Sequence, residues 1–123
     1  MAVPILKQGP FLIATIQAAL TDSDVLKLQD DVMAQVTRNR SRGIIVDVTA
    51  LDVMDSFVSR SLQGISRMTR LRGAETVIVG IQPEVAFAMV QLGMSFEDVQ
   101  TALDLEEGLA LLEARKEPGE SGG

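Results

Sequence analysis

The sequence predicts an α/β domain whose sheet is mixed but mostly parallel, with helices against it and an antiparallel β-hairpin at its start. Three observations carry this. Short apolar runs alternate with amphipathic ones along the chain, the order that parallel strands joined by crossover helices require. The runs GIIVDVTAL (43–51) and AETVIVGI (74–81) are rich in β-branched residues and almost continuously apolar, as in strands covered on both faces. The first two apolar runs are instead separated only by Gly9-Pro10, a turn signal too short for a helix.

Element by element, PILKQ (4–8) and FLIATIQ (11–17) form the hairpin. In TDSDVLKLQDDVMAQVTRNR, residues 21–40, Val25, Leu28, Val32 and Val36 recur at spacings of three and four, giving a helix with one apolar face. Thr21, Asp22 and Ser23 all suit its N-cap, Arg38 and Arg40 suit the negative end of its dipole, and Gly43 is the expected stop. A second helix starts at Ser56, with Val58, Leu62, Ile65 and Met68 as its stripe and Gly73 just past its end. Pro83 suits a first helical position, so EVAFAMVQL is a short helix ended by Gly93. FEDVQTAL (96–103) supplies a short edge strand, and Asp104 caps a last helix in LEEGLALLEARK. The expected organisation is one domain over residues 1–115 and a mobile tail, EPGESGG with the lysine before it, over 116–123, which has nothing to bury.

Composition narrows the chemistry. The chain has 123 residues and is 46% apolar, enough for a core without staples. There is no cysteine, which removes disulfides, thiolate catalysis and cysteine-based zinc sites. The apolar run of MAVPILKQGP is too short for a secretion signal, and no stretch reaches the roughly 20 apolar residues of a membrane span. A cytoplasmic protein is expected. The net charge of −6 and the lack of any aromatic residue beyond four phenylalanines argue against nucleic acid or an anionic membrane as partner.

The join between strand and helix, ALDVMDSFVSR (50–60), concentrates the polar candidates. Ser56 as a nucleophile would need a base, and the chain has no histidine and no G-x-S-x-G elbow. Asp47, Asp52 and Asp55 form a loose acidic group that Mg²⁺ could use, but carboxylates at strand ends and helix starts more often cap or face solvent. An acidic pair after the first parallel strand, as in a phospho-accepting receiver, is missing. Gly64, Gly73 and Gly80 are isolated, with no phosphate-cradling loop. Met54, Met68, Met89 and Met94 read as core filler. No cofactor and no metal are expected. What stays open is whether Asp55 or Ser56 caps the helix, and whether Ser56 accepts a modification, since first-turn amides and the helix dipole favour an anion there.

The strand-loop-helix IIVDVTALDVMDSFVSR resembles the phosphorylatable loop of STAS domains, the fold of bacterial anti-sigma factor antagonists. PILK (4–7), GIQPEVAFAMVQLGM (80–94) and TALDLEEGLALL (101–112) extend the resemblance over residues 3–113 and point to the RsbS branch, the small STAS subunit of stressosomes. The best-known antagonists continue Asp-Ser with Ser or Thr, then Gly-Leu; this chain has DSFVSR. The resemblance implies that Ser56 is the target of a partner serine kinase of the RsbT type, with Asp55 and Phe57 flanking it in the phospho-loop and helix cap. It implies a non-catalytic, homo- and hetero-oligomeric scaffold with larger RsbR-type paralogues, which sequesters the kinase and releases it on phosphorylation. The alternative is a simple anti-sigma factor antagonist that binds an anti-sigma kinase. Ser59, one turn on, is a neighbour that could share the surface.

Overall fold

The structure is a computed structural model and describes residues 3–93, 96 and 99–114. Among these residues the order is β1 (Ile5–Gln8), β2 (Phe11–Thr15), α1 (Asp22–Asn39), β3 (Gly43–Asp47), α2 (Ser56–Leu71), β4 (Glu75–Val79), α3 (Pro83–Gln91), β5 (Gln100–Ala102) and α4 (Leu105–Ala114). The proposed tail, Met94 and part of FEDVQTAL lie outside the described residues.

The strands lie side by side in chain order, β1-β2-β3-β4-β5. β1 runs antiparallel to β2, with Ile5 opposite Ala14 and Gln8 opposite Phe11. The other neighbours are parallel, and Phe11, Gly43 and Glu75 stand in one row at the sheet's N-terminal edge. A right-handed crossover that always steps the same way leaves its helix on the same face. The three crossover helices therefore share one face, and the opposite face is left for α4. Alternation along the strands serves both. Leu12, Ile44, Val46 and Ile78 point to the first face, in one core with Val25, Leu28 and Val32 of α1 and Leu62 and Ile65 of α2. Phe11, Ile13, Ile45, Val77 and Val79 point to the second, with Leu112 of α4. That two-sided burial is why 43–51 and 74–81 read as unbroken apolar runs.

Several boundaries differ from the sequence expectation for local reasons. β2 stops at Thr15, two residues early, and Gln17, Ala18 and Ala19 are exposed. β3 stops at Asp47 rather than Leu51, because the Asp47 carboxylate accepts from Thr49 N at 2.9 Å and Thr49 Oγ1 at 2.6 Å, a side-chain turn that replaces the ladder. Thr21 takes the α1 N-cap, in a reciprocal bond pair with Asp24 at 3.1 Å each way. The α1 C-terminus is closed by Arg40, at φ 49, whose N–H bonds Val36 O. Gly43 is therefore not the stop. It begins β3, and a Cβ there would meet Leu112 Cδ2 of α4 at 2.7 Å. Asp104 does sit before α4, accepting from Glu107 N at 2.9 Å.

Gly80 fixes where the loop after β3 lies. It has φ +80 and faces Thr49, whose side chain leaves no room for a Cβ. Gln82 Nε2 also donates to Thr49 O, at 2.6 Å. Gly80→Ala forces a left-handed alanine into that contact. It is expected to lower stability by about 1–3 kcal/mol, read as a lower urea midpoint with an unchanged slope.

Candidate phosphorylation site

All four helices start at the C-terminal edge of the parallel strands, so the loop 48–55 and the start of α2 lie at that edge. Leu51 and Met54 anchor the loop in the core, 4% and 6% exposed, while Val53 between them stands in solvent. The chain then enters α2 through Asp55, whose extended backbone (φ −81, ψ 175) is that of an N-cap. Its Oδ1 accepts from Val58 N at 2.8 Å, and its carbonyl accepts from Ser59 N at 3.0 Å.

That arrangement decides the roles at Ser56. The cap belongs to Asp55, so Ser56 is the first helical residue. Ser56 is exposed, and its hydroxyl has no hydrogen bond among the described residues. The amides of Ser56 and Phe57 precede the first intrahelical bond, and the positive end of the helix dipole lies beneath them. An anion on the Ser56 oxygen meets both. Phe57 is half-buried against the core and does not cap. Ser59 is 1% exposed, so it does not share the surface.

The other acids are arranged differently from a metal site. Asp47 is held by Thr49 and Asp55 by Val58, while Asp52 is exposed. Among the described residues, no group of three or more His, Cys, Asp or Glu could hold a metal ion. No described helix is long and apolar enough to cross a membrane. Met54 and Met89 are core residues and Met68 packs on the core.

Sequence reasoning missed two features. An open groove of about 510 Å³ runs from Phe57 along α2, lined by Arg60, Gly64, Arg67 and Met68, with Gln29 of α1 across it. The signal was the spacing 57, 60, 64, 67, the outward complement of the buried stripe. The second feature is Gln82, which ties the loop to α3; nothing in a single sequence marks that contact.

The cap assignment has a direct consequence. Asp55→Ala should cost about 1 kcal/mol, as for the loss of an N-cap carboxylate. Ser56→Ala should stay within about 0.5 kcal/mol, because an exposed hydroxyl without a partner is removed. Denaturant unfolding of the two variants beside wild type checks the difference.

Comparison with known proteins places this geometry. A sequence profile of the STAS domain matches residues 2–108. Over 83 residues the chain is 30% identical to the RsbT co-antagonist protein RsbRA of Bacillus subtilis (strain 168), covering 68% of this chain and 30% of that one. The chain thus spans about three tenths of that relative's length. A serine-to-glutamate variant of RsbS from Moorella thermoacetica superposes with a TM-score of 0.79 and 34% identity, covering 91% of this chain and 95% of that chain. A chain from a structure of the stressosome, a signal integration and transduction hub, gives a TM-score of 0.77 and 36% identity over 92% of this chain and 100% of that one. A profile match over most of the chain and close superposition on chains of 34% and 36% identity agree: the chain belongs to the STAS domain family.

Proposed function

We propose that the chain is a non-catalytic scaffold subunit of a cytoplasmic, stressosome-like assembly, which holds a serine kinase of the RsbT type and releases it when Ser56 is phosphorylated. The observation that carries this reading is the exposed Ser56 hydroxyl at the first position of α2, left without a capping role by Asp55. The similarity to RsbS and to a stressosome chain supports the scaffold role. The relatedness to a protein named as an RsbT co-antagonist supports a larger STAS paralogue as neighbour and a kinase as the regulated partner.

The switch follows from charge at a contact. Val53 and Phe57 give the surface around Ser56 apolar area for a docked partner. A phosphate there adds about −1.5 to −2 charges at neutral pH. Burying that dianion under a partner costs desolvation, and Asp55 beside it adds like charge that Arg60, one turn on, only partly offsets. The domain itself stays folded, because the first-turn amides and dipole favour the anion. Ser56 is then a substrate and not a catalyst.

Incubation with the cognate kinase and ATP, followed by mass-spectrometric mapping, should place one phosphate on Ser56 and none on buried Ser59. Ser56→Ala should take no label. Label elsewhere with Ser56 unmodified contradicts the site. On size-exclusion chromatography a larger STAS paralogue should draw the chain into a particle far larger than a dimer. A small complex with an anti-sigma kinase instead identifies a simple antagonist.

A further inference from the structure

The groove along α2 begins one residue after Ser56, at Phe57. Its lining holds two arginines, Arg60 and Arg67, and no carboxylate, on a chain whose net charge is −6. Arg67 already interacts within the chain. Arg60 is exposed and stands nearer Ser56. Between the two lies Gly64, in the middle of α2. A Cβ on Gly64 would meet nothing within 4 Å, so no packing inside this chain asks for a glycine. Glycine is a poorer helix former than alanine. A helix that gives up that stability keeps the groove open for a side chain from outside.

Arg60 also belongs to the phosphorylation site. Ser56 and Arg60 are four residues apart in one helix, which puts their Cβ atoms about 5–6 Å apart. Helical side chains lean toward the N-terminus, so Arg60 leans back over the turn that carries Ser56. An acid N-terminal to a base at this spacing is the favourable orientation. The Asp55 carboxylate is occupied by the Val58 amide. A phosphate on Ser56 brings about −1.5 to −2 charges at neutral pH and oxygens that match the forked donors of arginine.

We infer that Arg60 serves two anions in turn. In the unmodified chain it holds a carboxylate of the docked kinase, beside an apolar kinase side chain that enters the groove at Gly64. On phosphorylation it turns to the phosphate on Ser56 and gives that carboxylate up. The phosphate thus weakens docking twice, by the charge it adds and by the cation it withdraws. This deepens the functional reading above and rests on it.

Phosphoserine placed at position 56 by genetic encoding, in the full wild-type chain and in Arg60→Gln, tests the pair without relying on the kinase. By phosphorus NMR the phosphate should titrate about 0.3 pH lower with Arg60 than with glutamine; Asp52 and Asp55 are common to both chains. Calorimetry with the cognate kinase tests the exchange. Unmodified Arg60→Gln should bind about threefold more weakly than unmodified wild type. The phosphate should then cost the variant about threefold or less, against about tenfold in wild type. Arg60→Lys, which keeps the charge, should lie between them. Gly64→Leu fills the groove and should weaken binding of the unmodified chain about threefold or more, while melting no lower than wild type. Equal titration of the two phosphates, a tenfold fall in Arg60→Gln, or Gly64→Leu binding as wild type overturns the inference and leaves the functional reading in place. A kinase that does not bind unmodified wild type overturns that reading, and the inference with it.

Discussion

The bond from the Val58 amide to the Asp55 carboxylate is the interaction on which the site depends. A helix start leaves several amides without partners, and here a carboxylate, not the serine, satisfies one of them. With the cap supplied from position 55, the serine at 56 is relieved of a structural duty and its oxygen faces solvent. If the serine itself capped the helix, adding a phosphate would compete with the bond that starts the helix. Separating the two duties lets the surface change while the fold stays.

The scaffold around this cap explains why it is held in place. Leu51 and Met54 pin the loop into the core from within. Gly80 and Gln82 hold it from the side of β4 and α3, through Thr49. Because the sheet order steps steadily from β2 to β5, every helix start falls on one edge. A charge change at Ser56 therefore alters an edge built from four helix starts, and a partner docked there meets several elements at once.

Much of this was legible in the sequence because the local signals agreed. The stripe Val58-Leu62-Ile65 and the turn at Gly9-Pro10 each had one physical reading, and the two-sided strands announced a sheet with helices on both faces. What was not legible had tertiary causes. The early end of β3 depends on Asp47 turning onto Thr49, and Asp looks alike in a strand end and a loop. Gly43 looked like a helix stop, yet it is a glycine because Leu112, far along the chain, packs against it. Arg40 in a left-handed conformation has no sequence signal at all. At the site, sequence alone left Asp55 and Ser56 as competing caps; only backbone geometry separates them. It also placed Ser59 one turn on without revealing that this turn rolls it into the core.

The central claim is that a dianion on one exposed hydroxyl decides whether a partner docks. Its most direct test is the affinity of the kinase for the chain before and after stoichiometric phosphorylation at Ser56, measured by titration calorimetry on the same preparation. The account predicts a fall of about tenfold or more, corresponding to at least about 1.4 kcal/mol, with the circular dichroism spectrum of the chain unchanged. Equal affinity of the two forms, or loss of binding only through unfolding of the phosphorylated domain, would contradict it.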